Sequence, residues 1–320
     1  MKFIIKKYNS LRLCLVGSTI CAATLSCTND DGIESPLFPD IPENNDTIAP
    51  RTQVNILSSA QVWTAYPLLQ DLQSPINAGL FMVNYRDGRP DELLDRHNYV
   101  NNQQMTWKNG EWTTATAIYW NDMNTPADFY AYAPYQPNIE DARKMAFSIK
   151  TDQRTEETFR QSDLMWGAAI AQTPSVEKFN LMLMHQLSML TVKVTAEAGF
   201  DEGELKADDV SVTIGGTRTD CTVDLQTAAL TLTGTAKDVI CMSNGDLSYT
   251  AILLPQQVPF SNLIQVNWNG NNYTLQNTFT LEPKRQYSLT VKLKKTKSGF
   301  DIGIDGWDIL PEDFGGTVGG

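Results

Sequence analysis

The chain repeats short segments in which every second residue is apolar, and turn-forming dipeptides separate these segments. Alternation with a period of two residues indicates β-strands, because helices need apolar residues at a spacing near 3.6. Tyr287–Leu293 shows the pattern most clearly, and Gly79–Tyr85 and Asp128–Tyr132 follow it. Short helical insertions are expected only at Ser59–Leu72 and Glu140–Met145. The sequence therefore predicts a mostly β protein without a βαβ rhythm.

Three Asn-Gly steps place hairpins along the chain, at Asn109-Gly110, Asn244-Gly245 and Asn269-Gly270. Both residues of such a step readily adopt the positive φ that a two-residue hairpin turn requires. Around the first step, Lys108 would face Glu111 and Trp107 would face Trp112. An opposite-charge pair beside an aromatic pair supports antiparallel pairing. The sequence therefore predicts a hairpin at this step.

The 320 residues, of which 42% are hydrophobic, suffice for one large or two ordinary domains. Strand signals are interrupted by glycine and acidic residues at Ala196–Ala207. We therefore predict an N-terminal β-sandwich of residues 52–200 and a C-terminal β-sandwich with a tail, residues 201–320. Val210–Ile214 and Thr222–Leu225 are predicted as separate strands of the latter.

The N-terminus has the composition of an export signal. Residues 1–12 contain four basic and no acidic residues, and a mostly apolar stretch follows at 13–25. Thr24–Cys27 resembles a bacterial lipobox, which implies a lipoprotein signal peptide at 1–26, lipidation of Cys27 and anchoring in the outer membrane through acyl chains. An ordinary secretory signal is the alternative. Residues 27–51, with four prolines, are predicted to form a tether or propeptide.

Composition excludes several kinds of chemistry. With 37 acidic against 25 basic residues, the formal charge is −12, which disfavours nucleic acid as a partner. His97 and His185 are far apart in sequence and have no cysteine at a zinc-site spacing, so we expect no metal, no cofactor and no catalytic triad. His185 lies in an apolar run and is predicted to be a buried imidazole that bonds a backbone group, whereas His97 is predicted to lie in a solvated loop. The sequence predicts a protein that is not an enzyme.

Besides Cys27, two cysteines lie outside the export signal, Cys221 and Cys241, and both share the parity of inward-facing neighbours. Export to an oxidising compartment allows a disulfide between them if their Cα atoms lie within about 7 Å. Two buried free thiols are the alternative.

Several phrases of the chain resemble the fimbrillin family of lipoprotein pilins, also called Mfa-like or type V pilins. Asp128–Tyr135 (DFYAYAPY) is similar to the Phe-Tyr-Ala-Tyr-x-Pro-Tyr strand of that family, and Asp163–Met165 to its Asp-Leu-Leu/Met step. Phe179–Val194 (FNLMLMHQLSMLTVKV) resembles its central signature, and Trp307 stands where the family has a tryptophan near its end. The resemblance implies two consecutive transthyretin-like antiparallel β-sandwiches in a structural or adhesive subunit of a surface fimbria, with a stalk, tip or accessory role.

The resemblance also implies how such a subunit assembles. A protease cuts after a basic residue, here Arg51, and a strand from another fimbrial subunit enters the groove that this opens. The C-terminal segment Asp308–Gly320 is a weak candidate donor because it contains Pro311 and several glycines. A host glycan or protein is a further potential partner. The alternative function is a surface glycan-binding lipoprotein that serves nutrient uptake, for which exposed tryptophans on one loop rim would be needed.

Overall fold

The structure is a computed structural model, and it describes seven ranges of the chain: 52–57, 76–108, 111–196, 199–201, 203–295, 302–304 and 309–313. Cys27, Arg51, the predicted segments 1–26 and 27–51, and the helix predicted at Ser59–Leu72 lie outside these ranges. Within them, no helix has the length and apolar character needed to cross a membrane. The helix predicted at Glu140–Met145 is wrong, because that segment forms a turn that leads into a strand. The α-helix of the described chain is α1, Glu156–Gln161, whose first turn is capped by the Thr155 side chain.

The first sheet consists of six antiparallel strands in the order β4-β3-β2-β5-β7-β9. β1 and β8 form a separate two-stranded parallel sheet. The strands are β1 (Ile56–Leu57), β2 (Ile76–Asn84), β3 (Val100–Lys108), β4 (Glu111–Thr114), β5 (Ala127–Ala133), β7 (Met165–Gln172), β8 (Phe179–Asn180) and β9 (Met184–His185).

The central strands of the first sheet are buried on both faces. Leu80 and Met82 of β2 belong to one hydrophobic cluster, whereas Phe81 and Val83 belong to another. All seven residues of β5 are buried. The strands predicted at Gly79–Tyr85 and Asp128–Tyr132 are present, but neither has a solvent-exposed face. Nearly continuous apolar sequence is what a strand covered on both sides requires.

The second sheet has the order β12-β11-β15-β16, and β6 extends it beside β11. The third sheet has the order β13-β14-β10-β17, and β18 and β19 both pair with β17. The two sheets contribute their inner faces to one hydrophobic cluster. Their strands are β6 (Met145–Ser148), β10 (Ser188–Ala196), β11 (Val210–Asp224), β12 (Ala229–Ile240), β13 (Met242–Gly245), β14 (Ser248–Leu253), β15 (Gln256–Trp268), β16 (Asn271–Leu281), β17 (Arg285–Lys295), β18 (Ile302–Ile304) and β19 (Ile309–Asp313).

Two strands that precede the predicted division at residue 200 pair with strands that follow it. β6 pairs with β11, and β10 pairs with β14 and, in parallel, with β17. The division into residues 52–200 and 201–320 stays a prediction. The strands predicted at Val210–Ile214 and Thr222–Leu225 form one strand, β11, because a bulge at Gly215-Gly216 bends the chain without ending the ladder.

The strand pairing predicted around the first Asn-Gly step is present, since Trp107 faces Trp112 and Lys108 faces Glu111. Asn109-Gly110 itself lies outside the described residues. Asn269-Gly270 connects β15 to β16 with φ values of 48° and 79°. The turn predicted at Asn244-Gly245 is wrong, since both residues belong to β13 and the turn residues are Asp246-Leu247, with φ values of 46° and 57°. The register shift between Ser243 and Gly245 uses the glycine for a bulge instead.

Candidate functional site

One edge of the third sheet is covered by the C-terminal part of the chain. β17 pairs in parallel with β10 on one side. On its other side, Leu293–Lys295 pair with β18 and Arg285–Leu289 pair with β19, both antiparallel. Between these stretches, Thr290–Lys292 have no strand partner on this side among the described residues. We call this side of β17 the terminal edge.

β17 forms at this place because its alternation fits a half-buried surface. Tyr287, Leu289, Val291 and Leu293 are at most 7% exposed and pack in the core between the second and third sheets. The sequence predicted this strand. The inward side chains of β17 therefore anchor this edge strand in the core.

The strand that covers the terminal edge is short and contains a proline. Pro311 of β19 lies opposite Tyr287 of β17. Proline has no backbone N–H to donate, and prolines in sheets are confined to edges and strand starts for that reason. The sequence predicted Asp308–Gly320 to be a weak donor strand for another subunit. In the structure, Ile309–Asp313 of this segment pairs with β17 of the same chain.

The N-terminal end of the described chain is held by backbone hydrogen bonds. The amide of Val54 donates to the carbonyl oxygen of Ile118 at 2.8 Å, and the amide of Trp120 donates to the carbonyl oxygen of Thr52 at 2.9 Å. Val54 is buried. Arg51 itself lies outside the described residues, directly before this anchored segment.

His185 and Asp163 form a buried pair. Nδ1 of His185 lies 2.8 Å from Oδ1 of Asp163, and both side chains are at most 10% exposed. The contact joins two phrases singled out in the sequence, because His185 on β9 pairs with Met165 of β7. The prediction of a buried imidazole is confirmed, and a carboxylate, which the sequence did not predict, contacts it. His97 is exposed, as predicted.

Cys221 and Cys241 are both free and buried. Cys221 pairs with Leu232, whereas the amide of Cys241 bonds the carbonyl oxygen of Val212, nine positions earlier on β11. At about 3.3 Å per residue, that separation is several times the span of a disulfide. The disulfide that the sequence allowed between Cys221 and Cys241 does not fit this strand register. The alternative, two buried free thiols, agrees with the structure. Burial raises the pKa of Cys241, and burial and the Asp220 charge raise that of Cys221 to about 12.

The end of the β11–β12 hairpin contacts β7 of the first sheet and the segment that directly precedes β6. Nε1 of Trp166 donates to the carbonyl oxygen of Leu225 at 2.7 Å. The Arg143 guanidinium donates two hydrogen bonds to the Asp224 carboxylate, at 2.9 and 3.1 Å. Sequence reasoning missed this contact because 81 positions separate Arg143 from Asp224 and nothing local marks either.

The described tryptophans do not form an exposed platform. Trp112, Trp120 and Trp268 are at most 9% exposed, and Trp107 and Trp166 are half-buried. Trp63 and Trp307 lie outside the described residues. Within the same ranges, no group of three or more His, Cys, Asp or Glu side chains is placed to hold a metal ion.

Comparison with known proteins identifies the family. The family model described as fimbrillin-like matches residues 72–307, and no curated protein matches the chain. A proposed cell adhesion protein from Bacteroides uniformis superposes with a TM-score of 0.58 at 19% identity, over 82% of this chain and 98% of its own. Another from Bacteroides ovatus has a TM-score of 0.61 at 16% identity, over 81% and 97%. The two structures share the fold, and the match of the family model over most of the chain shows that this protein belongs to the fimbrillin-like family.

Proposed function

We propose that the chain is a non-enzymatic structural or adhesive subunit of a surface fimbria that assembles by strand donation. The observation that carries the proposal is the terminal edge, which the chain covers with its own short, proline-containing β19. Family membership and the fold of the cell adhesion proteins support a place at the cell surface. The finer organisation proposed is two transthyretin-like sandwiches, and the inner faces that the second and third sheets contribute to one hydrophobic cluster support the C-terminal one.

Strand donation has a physical basis at this edge. β19 places Pro311 opposite Tyr287 of β17, and proline has no backbone N–H to donate. A donor strand from another subunit that contains no proline would offer one more backbone N–H to this edge. A backbone hydrogen bond contributes about 0.5–1.5 kcal/mol net. Such a donor would therefore compete with the covering strand.

Export and processing complete the proposal. Cys27 would carry the lipid anchor in the outer membrane, and Arg51, the first basic residue after it, would be cut in the exposed tether. Because Thr52 and Val54 are hydrogen-bonded to the Ile118–Trp120 segment, a cut at Arg51 would leave the new N-terminus attached to the fold. The rival function in glycan uptake required exposed tryptophans, and the described tryptophans do not supply them.

The test locks β19 onto β17 with a disulfide. The double variant Ser288→Cys, Leu310→Cys places thiols at paired positions of these strands, and Ser211→Cys, Asn267→Cys does the same for β11 and β15, as a matched control. Each mature protein is treated with mild trypsin, oxidised or reduced, and imaged by electron microscopy. We expect filaments or end-to-end dimers from the control in both states and from the β17–β19 variant only when it is reduced.

Two outcomes would contradict parts of the proposal. Monomers in every sample after cleavage at Arg51 would refute a polymerising subunit. Filaments from the oxidised β17–β19 variant, with the disulfide verified by mass spectrometry, would leave the fimbrial function standing and refute the terminal edge as the acceptor.

A further inference from the structure

The outer face of the second sheet consists of neutral polar side chains in aligned rows. Strand register places Ser211, Asn267 and Asn272 in one row across β11, β15 and β16, and Thr213, Gln265 and Thr274 in the next. Asn262 and Gln276 form a third row on β15 and β16. These side chains are exposed or half-buried, whereas the residues between them on the same strands point into the core. We call these three rows the amide face.

The amides of this face are held in place by hydrogen bonds, two of which join amides of the face to one another. Nδ2 of Asn267 donates to Oδ1 of Asn272 at 2.8 Å, and Nε2 of Gln276 donates to Oδ1 of Asn262 at 2.8 Å. Nε2 of Gln265 donates to Asp238 on β12 at 3.2 Å. Each carboxamide has two N–H donors and an oxygen with two lone pairs, so these bonds leave capacity for further partners while fixing orientation. Such preorganisation lowers the entropy cost of binding.

The amide face differs from the rest of the chain in charge. The three rows contain no lysine, arginine, aspartate or glutamate, although charged residues make up 19% of the sequence and the formal charge is −12. Charged side chains on this side of the sheet begin at its borders, with Asp238 on β12 and the ion pair of Asp220 and Lys237, whose atoms lie 2.7 Å apart. An exposed aromatic ring, Phe260, which is 67% exposed, follows on β15 beyond Asn262.

We propose that the amide face, with Phe260, is the adhesive surface of this subunit and binds a neutral glycan. Sugar hydroxyls are neutral groups that both donate and accept, and a fixed array of carboxamides and hydroxyls matches them in both roles. A polyanion would find no cation in these rows, and a protein partner would find none of the buried apolar centre that stable protein interfaces have. Phe260 offers an apolar surface for the C–H face of a sugar ring. The inference rests on the proposed adhesive role.

The test compares two double variants of the full mature chain. Asn267→Ala, Gln276→Ala removes two carboxamides of the amide face, and Asn101→Ala, Gln104→Ala removes two exposed carboxamides of β3 in the first sheet, as a matched control. Binding is measured by affinity electrophoresis in native gels that contain xyloglucan, galactomannan or laminarin, with heparin as the charged probe. Thermal unfolding verifies that both variants fold.

We expect at least one neutral polysaccharide to retard the unaltered chain and the β3 variant equally, and to retard the amide-face variant at least tenfold less. Phe260→Ser should weaken the same retardation. Retardation by heparin alone, by no probe, or to the same extent in both double variants would overturn the proposal. Self-association in sedimentation that only the amide-face variant loses would assign the face to a second copy and overturn it as well. Filament formation by the amide-face variant is scored separately, so a failed glycan site remains distinguishable from a failed fimbrial function.

Discussion

The first and second sheets differ in how many of their faces are covered. The centre of the first sheet is covered on both faces, so consecutive residues such as Met82 and Val83 are both buried. In the second sheet only one face is covered, so buried Cys221 is followed by half-exposed Thr222. The difference teaches that sequence alternation records how many faces of a strand are covered, and not only that a strand exists.

The largest effect should come from the doubly covered sheet. Phe129 of β5 is fully buried and packs edge to face on Trp120, with ring centroids 5.5 Å apart, and beside Phe179 at 4.6 Å. We expect Phe129→Ala to lower the free energy of unfolding by about 3–5 kcal/mol, because it leaves a cavity between these rings. Thr274→Ala on the amide face should change it by less than about 0.5 kcal/mol. Urea titrations measure both, and a similar loss in the two variants would contradict the comparison.

A smaller effect is expected at the border of the first sheet, where His185 of β9 meets Asp163. Asp163→Ala removes the 2.8 Å contact with the imidazole in a buried site. The expected loss is about 1–3 kcal/mol in the free energy of unfolding, the cost of a broken buried hydrogen bond. Asp201→Ala, an exposed acid, is the control. An unchanged urea midpoint for Asp163→Ala would show that the pair contributes nothing to stability.

The smallest change in stability is expected for single cysteine variants, and thiol labelling of these variants is the sharpest test of the comparison. At pH 8 the native protein should leave Cys221 and Cys241 unlabelled, and the denatured protein should label both. In a background without these thiols, Thr222→Cys should react in the native state, whereas Met82→Cys and Val83→Cys, neighbours on opposite faces of β2, should both stay protected. Labelling of either β2 variant in the native state would refute burial on both faces.

The thiols also predict a pH dependence of stability. An unfolded cysteine has a pKa near 8.5, and the pKa of Cys221 in the fold is raised to about 12. The unfolded chain therefore loses its proton first. The stability linked to this thiol is complete below about pH 8.5 and is lost as the pH rises toward 12. Cys221→Ala should reduce the steepness of that loss in urea titrations at several pH values.

Local pattern predicted much of the β structure, and long-range packing decided the exceptions. Asn269-Gly270 forms its predicted turn because two-residue turns are encoded in the dipeptide itself. Asn244-Gly245 does not, because the pairing of Met242 with Thr250 shifts the turn two residues along the chain. Likewise, the sequence named His185 and predicted its burial, but its partner Asp163 is 22 positions away and no local signal connects them.

By itself, the sequence determined that this protein is built of strands, where most of them lie, and which phrases it shares with the fimbrillin-like family. Those features depend on alternation and turn chemistry, which act over a few residues. Only the tertiary structure decided that β2 and β5 are covered on both faces, that β10 lies parallel to β17, that the two thiols are far apart, and that the C-terminal strand covers the terminal edge. These depend on register and on which sheets pack together, and contacts between residues distant in sequence set both.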